Sequence, residues 1–487
     1  MRHKKPQDRE SLDLGLVEDL ITPDHYIRLL AAFVERAVEV NEDYYTQKGK
    51  RSTGQKPYGA VSLLLLYIYG YLNRISSSRR LELEAQRNIE VIWLLGGLRP
   101  DFKTIADYRK DNGEAFRELL KAFNTFLKTH GYIEGKRVSV DGMRTKANTS
   151  RDALSVSKIK NRLEKLDGQL DRYLIELEEN DQKETLEIEL GQLDIKKKEA
   201  LEKIARLQEE IEDLLKKKEV IENDSRKRIN FTDEESSLTQ GRDGCMPHYN
   251  NQSVVCDKHK FIMAWQVTST SNDRNNLKPM IEYVEREYGQ RPELCRSDSD
   301  YFNTKDIQEL ERQGTQCYCT VPKSAQAKKG KDQHGEPIEF TYHPQQDQYI
   351  CSQGRVLVRR GYEPNKGGRG ATRYQGTQCQ DCPIRQHCTK AKQRSIYRYD
   401  DEQWKEDYIK KMNSPTGRRH QALRRAYVEH PFGTVKTTMM DRSQLKLRGK
   451  YKVQTEIGIY HFAYNFKRLT NLQCFDYLMK QIQNYGF

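Results

Sequence analysis

Residues 136–148 read KRVSVDGMRTKAN. Val138 and Val140 alternate with Arg137 and Ser139, the period of a strand with one face buried, and the run then reaches Asp141 and Gly142. This predicts a strand ending in a carboxylate. An Asp-Gly turn is the competing reading, and the choice depends on what the rest of the chain supplies.

Upstream, residues 11–131 read as helical. SLLLLYIYGYLNRI is apolar at helical spacing, and Phe116, Leu119, Leu120, Phe123 and Phe126 share one face of a helix that Gly131 stops. Downstream, NNQSVVCD (250–257) and KFIMAWQVTS (260–269) read as a hairpin joined at Lys258 and His259. A helix at RNNLKPMIEYVEREYG, a strand within ELCRSDSDYF (293–302), a helix at TKDIQELERQG and a strand at QCYCTVP (316–322) follow. Three strands, helix, strand, helix, strand is the order of a ribonuclease H-like mixed sheet, so the expected fold class is α/β.

Two segments interrupt that order. From about 151 the composition shifts to Glu, Lys and Leu. Ile159, Leu163, Leu166, Leu170, Leu174 and Leu177 recur every three or four residues. Leu190, Leu193, Ala200, Ile204, Leu207, Ile211 and Leu214 resume the pattern, with Lys197 breaking one position. EENDQKE (178–184) between them predicts a reversal and hence an antiparallel helical hairpin; one long helix in an intermolecular coiled coil is the alternative. The second segment, 323–400, is rich in Gly, Gln, Lys and Arg, and helical pattern resumes from about 418. The expected organisation is an N-terminal helical domain over 1–131 and a first part of the core over 132–322, broken by the hairpin at 151–236. A basic Cys-containing insertion over 323–400 and a C-terminal part of the core over 401–487 complete it.

In such a sheet Asp141 would end the first strand and Asp298 the fourth, and neighbouring strands would bring them together. Glu429, on a later helix, could pack across the same edge. Three converging carboxylates suit two Mg²⁺ ions about 3.5–4 Å apart, one at the attacking and one at the leaving oxygen of a phosphoryl transfer. Each acid also has a plainer reading. Asp141 could be a turn residue, Asp300 could replace Asp298 two positions on in an extended strand, and Glu429 could pair with Arg425 one helical turn back.

Charge narrows the partner. The chain has 84 Lys and Arg against 71 Asp and Glu, a net charge of +13. Residues 355–452 alone hold 24 basic and 9 acidic residues, a local +15 that leaves the remainder slightly acidic. A localised basic block suits a polyphosphate backbone, and a solvated basic surface is the plainer alternative. GAVSLLLLYIYGYL (59–72) is shorter than the roughly 20 residues of a membrane span, and MRHKKPQDRE has no apolar stretch of signal-peptide type. A cytoplasmic protein is expected.

Ten cysteines in a chain of 487 residues without an export signal point away from a disulfide framework. Cys379 and Cys382 form a CxxC pair, Cys388 lies six residues on and Cys351 lies 28 upstream of Cys379. Four thiolates suit tetrahedral Zn²⁺, which could order an insertion poor in apolar residues. Free thiols or a redox-labile pair are the alternatives, and His387 could replace one Cys. Cys317 and Cys319 read as strand residues without chemistry.

Nine stretches, in order, resemble a known family. They are GQKPYGAVSLLLLYIYGYLNRISSSRRLE, RPDFKTIADYRKDN, VSVDGMRTKANTS, HYNNQSVVCD, TSTSNDRNNLKPM, SDSDYF, YICSQG, CQDCPIRQHC and VEHPFGTVK. Over about 12–470 the chain is similar to bacterial insertion-sequence transposases of the DDE type, in the branch with an N-terminal helical domain and a Cys-bearing insertion. The resemblance implies Asp141, Asp298 and Glu429 as catalytic carboxylates holding Mg²⁺ or Mn²⁺, and Arg425, Lys436 and Arg424 as DNA contacts. It also implies strand cleavage by water, transfer of the freed 3′-hydroxyl to target DNA, and a homodimer or larger assembly on paired element ends in the bacterial nucleoid. Two positions depart from the family. Asp300 stands where an Asp-x-Gly-Tyr context has Gly, and Ala422 stands at the Tyr of Tyr-x2-Arg-x3-Glu-x6-Lys. A metal-dependent nuclease of the same fold and a transposase-derived DNA-binding protein are the alternatives.

Overall fold

The computed structural model describes residues 17–41, 45, 58–151, 153–183, 190–224, 228–241, 244–323, 338–441 and 443–486. Residues 11–16, 42–44 and 46–57 of the expected helical region lie outside these. The N-terminal region forms α1 (Tyr26–Val40), α2 (Ala60–Leu72), α3 (Ser78–Arg87), α4 (Ile89–Leu94), α5 (Phe102–Asp111) and α6 (Gly113–Thr129). Asp101 starts α5 by accepting from the backbone N–H groups of Lys103 and Thr104. The apolar run of α2 is buried from Leu63 to Tyr71, which makes it a core helix. Among the described residues no helix is long and apolar enough to cross a membrane. The five apolar residues expected on one face of α6 are all buried, and the chain turns away at Gly131, whose φ is 70°.

The first sheet begins at β1 (Arg137–Lys146). After a helical excursion, α7 (Val156–Lys183) and α8 (Leu190–Asn223), it continues with β2 (Ser237–Gly241), β3 (Gly244–Cys256) and β4 (Ile262–Thr268). Then come α9 (Leu277–Tyr288), β5 (Leu294–Ser297), a 3-10 turn at Ser299–Tyr301, α10 (Thr304–Arg312) and β6 (Gln316–Cys319). The long β3 pairs antiparallel with β2 along its first half and with β4 along its second. On its other side β3 pairs antiparallel with β1, which pairs parallel with β5, and β5 with β6.

One expectation changes here. Asp141 does not end β1 but sits within it, opposite Ser253, because β3 offers partners as far as His248 opposite Lys146. Met143 and Thr145, both buried, share the face of Ser139 and Asp141, opposite the one that Val138 and Val140 fill, so β1 is covered on both faces and the simple alternation is lost after Val140.

The helical excursion is an antiparallel hairpin. Ile159, Leu166, Leu214, Ile221 and Ile229 form a small core of its own, and Arg162 pairs with Glu210 across it. Its ends meet where Leu154 and Ile229 exchange both backbone hydrogen bonds, at 2.9 and 3.1 Å. α7 runs through Lys183, past most of the segment expected to reverse, and residues 184–189 lie outside the described ones, as do the side chains of Leu177, Leu190, Leu193, Lys197 and Ala200.

Residues 340–399 form a second, antiparallel sheet of β7 (Phe340–His343), β8 (Gln348–Cys351), β9 (Val356–Glu363), β10 (Ala371–Gly376) and β11 (Ser395–Tyr399), in the order β11-β10-β9-β8-β7. The short helix α11 (Arg385–Cys388) lies between the last two strands. This segment is not bare of apolar residues: Tyr349, Leu357, Tyr374 and Ile396 make a separate small core. Aromatic side chains replace the aliphatic ones that the composition lacks.

The C-terminal helices are α12 (Glu402–Asn413), α13 (Pro415–Gly433), α14 (Lys450–Leu472) and α15 (Phe475–Asn484), with a π-helical turn at Thr434–Met439 after α13. Helix therefore resumes earlier than the expected 418. α14 lies in the main core against α2, α6 and β4. Asn465 on α14 accepts from the Ile262 N–H and donates to the Ile262 carbonyl and to Asn124 of α6, so one buried amide ties sheet, α6 and α14 together.

Candidate active site

Parallel pairing of β1 with β5 sets Ser139 beside Arg296. Asp141 and Asp298 each lie two residues further on, so the strand period aims both at the same face of the sheet. α13 covers that face. Its His420 Nδ1 accepts from Arg296 Nε at 3.0 Å, its Tyr427 ring lies 5.6 Å from the Arg296 guanidinium, and its Arg424 Nη1 meets Asp141 Oδ2 at 2.8 Å. Arg296 is almost fully buried and also donates to both oxygens of Asp257. The strand ends and α13 are thereby fixed to one another by charge-assisted hydrogen bonds.

Burial is the largest influence on both acids. It pushes the Asp141 carboxyl up to about 7, with the Arg424 guanidinium opposing, the Asp298 charge adding to the rise, the Gly142 N–H opposing and the Asp273 charge adding. Asp298 is likewise raised by burial, against the Asp300 N–H and Arg424, with the charges of Asp300 and Asp273 adding. Asp298 caps the 3-10 turn by accepting from the Asp300 N–H at 2.9 Å, and this bend leaves Asp300 exposed rather than parallel to Asp298.

Glu429 is not brought to this pair. It is exposed and lies five residues after Arg424, about 140° around the helix from the side chain that reaches Asp141. It forms no ion pair with Arg425 among the described residues, and Arg425 and Lys436 are exposed. Among the described residues no three His, Cys, Asp or Glu side chains stand together as a ready metal site. Two half-buried oxygen-donor carboxylates with a guanidinium between α13 and the sheet nevertheless fit a hard divalent cation, since that arrangement already draws one positive charge to the place.

Cys351, Cys379, Cys382 and Cys388 all line one small cavity of about 20 Å³ together with Phe340, Leu357 and Ile384, although no three of them stand close enough to form a ready metal site. Burial raises the Cys388 thiol, Arg394 opposes, and Cys379, Cys351 and Cys382 add to the rise. His387 is exposed and does not line the cavity. Cys317 and Cys319 are buried on β6.

Sequence reasoning passed over a buried amide network beside the acids. Asp273 Oδ1 accepts from Asn250 Nδ2 at 2.6 Å and from Gln252 Nε2 at 2.5 Å, and Gln252 Oε1 accepts from the Tyr301 hydroxyl. The available signal was the run Asn250-Asn251-Gln252 entering an apolar strand, where three consecutive amides are costly unless each finds a partner.

Comparison with known proteins agrees with the resemblance in the sequence. A family profile described as a transposase DDE domain matches residues 350–470, and one described as a transposase domain matches 16–111. The chain thus resembles transposases in two separate regions. The first match spans the Cys segment, α13 and most of α14; Asp141 and Asp298 fall between the two matched regions. No curated protein matches the chain. A solved piggyBac transposase synaptic complex with hairpin DNA aligns over 94% of this chain and 79% of its own, at 9% identity and a TM-score of 0.32.

Proposed function

We propose that the chain cleaves DNA strands at the ends of an insertion sequence and transfers them to target DNA with the help of Mg²⁺ or Mn²⁺. The observation that carries this reading is the pair Asp141 and Asp298, side by side on parallel strands under a helix that also bears Arg424 and Glu429. The order β3-β1-β5-β6, antiparallel then parallel, supports a ribonuclease H-like core. Asp141 and Asp298 would hold the metal, and Glu429 would join them once α13 turns it inward; when bound, the metal activates the attacking oxygen and stabilises the leaving oxygen of phosphoryl transfer. Arg424 neutralises Asp141 until then and, with exposed Arg425 and Lys436, supplies positive charge for the DNA backbone. The four thiols in one small cavity support a structural Zn²⁺ in the second sheet.

The Arg424–Asp141 ion pair and the outward Glu429 also fit a second reading, a transposase-derived DNA-binding protein without catalysis. Mg²⁺-dependent cleavage of the element's own end DNA by wild type and Glu429→Ala separates them. The transposase reading expects cleavage by wild type and a loss of at least about a hundredfold in the variant. Full activity in Glu429→Ala would remove Glu429 from the site, and binding without cleavage by wild type would favour the second reading.

A further inference from the structure

Asp273 lies in the segment between β4 and α9 and is almost fully buried, as are Asn250, Gln252 and Tyr301. No Lys or Arg pairs with it among the described residues. Its neighbours are two amide groups, both donating to the same oxygen, Oδ1. A buried carboxylate held only by neutral donors costs stability relative to an amide in its place. Its position accounts for its presence. Gln252, held through its Nε2, presents Oε1 to the Tyr301 hydroxyl, and Tyr301 closes the 3-10 turn that Asp298 caps. Gln252 lies opposite Gly142 in β3, so the same amide sits against the residue following Asp141. One hydrogen-bonded chain, Asp273 to Gln252 to Tyr301, therefore spans from the Asp141 strand to the Asp298 turn.

We propose that Asp273 is a positioning residue that sets the separation of Asp141 and Asp298 through Gln252 and Tyr301, so that the two carboxylates are prearranged for one divalent cation. This rests on the reading of the acid pair as a metal site. Burial and the charges of Asp273, Asp141 and Asp298 keep the Tyr301 hydroxyl protonated, as a donor to Gln252 must be. The chain acts as a unit, so breaking either end releases the same restraint.

The test is Mn²⁺ binding to the full chain without DNA, with free Mn²⁺ read by electron paramagnetic resonance, for wild type, Asp273→Ala, Asp273→Asn, Tyr301→Phe and the double variant Asp273→Ala/Tyr301→Phe. Asp273→Ala and Tyr301→Phe should each weaken binding about tenfold, the double variant no more than either alone, and Asp273→Asn should restore most of the affinity by keeping an acceptor at Oδ1. Wild-type affinity in Tyr301→Phe, or losses that multiply in the double variant, would overturn the proposal. If Asp273→Ala does not fold, Tyr301→Phe and Asp273→Asn decide alone. Asp141→Asn in the same titration separates the two levels. If it abolishes binding while Tyr301→Phe is neutral, only the positioning role falls; if it binds Mn²⁺ like wild type, or wild type binds none, the acid-pair reading falls as well.

Discussion

Gly142 shows why the residue scale was partly misread. Asp followed by Gly looks like a turn, and a turn would use the freedom of glycine to take a positive φ. Gly142 is not among the glycines with positive φ, and it lies inside β1. What it supplies is space: a Cβ there would stand 2.6 Å from Asp273 Oδ1, 2.9 Å from Gln252 Nε2 and 3.0 Å from Asn250 Oδ1. Gly142→Ala should therefore displace the amide network at a cost of about 1–3 kcal/mol, and lower strand cleavage by more than tenfold while leaving DNA binding near wild type. Thermal melting, cleavage and gel-shift assays check this, and unchanged cleavage would contradict it. Asp141 and Asp298 were legible because strand periodicity aims them. Asp273 was not, because its role depends on which distant strand its oxygen meets.

At the scale of elements, legibility followed the kind of core each element joins. Helices with wide apolar stripes, such as α6, were plain from spacing, whereas the second sheet hid behind a composition of Gly, Gln and Arg and is held by four aromatic and aliphatic residues. So small a core leaves room for a further restraint, and the Cys cavity lies beside it, with Leu357 belonging to both. Purified protein should contain one zinc per chain, and Cys382→Ser should lose it and melt lower. Elemental analysis that finds no metal in wild type, with no change in melting for the variant, would leave the four thiols as free cysteines. The orientation of α13 was the other part out of reach. A four-residue spacing suggested a Glu429–Arg425 pair, but which face of a helix meets a sheet depends on tertiary packing, here Val428 and Pro431 turned inward and Glu429 outward.

For the whole molecule, α14 is the shared core of helices and sheet, and it carries a titratable weakness. His461 is fully buried against Trp265, neither ring nitrogen has a hydrogen-bond partner among the described residues, and burial pushes its pKa down to about 3. The unfolded chain takes up a proton near pH 6.5 that the folded chain refuses until about pH 3. This group's contribution is thus intact above about pH 6.5 and is lost at about 1.4 kcal/mol per pH unit below it. Between pH 7 and 5 wild type should lose about 2 kcal/mol more stability than His461→Phe, measured by urea unfolding at both pH values; equal losses would exclude His461 as the cause. Sequence patterning showed five strands of the main sheet in chain order, but not β2 at Ser237–Gly241, nor that a single helix near the C-terminus would fill the space between that sheet and the N-terminal helices. Such contacts join residues several hundred positions apart, and no local period records them.

The helical hairpin carries a different consequence. Its two strands of chain leave and rejoin the body at one pair of backbone hydrogen bonds between Leu154 and Ile229, and its buried apolar residues pack in a small core separate from the main one. The cost of closing a loop grows only slowly with its length. The rest of the molecule is therefore nearly blind to how long the hairpin is, and this doorway is a natural splice point at which lineages can lengthen, trim or replace an appendage without renegotiating the chemistry beneath it.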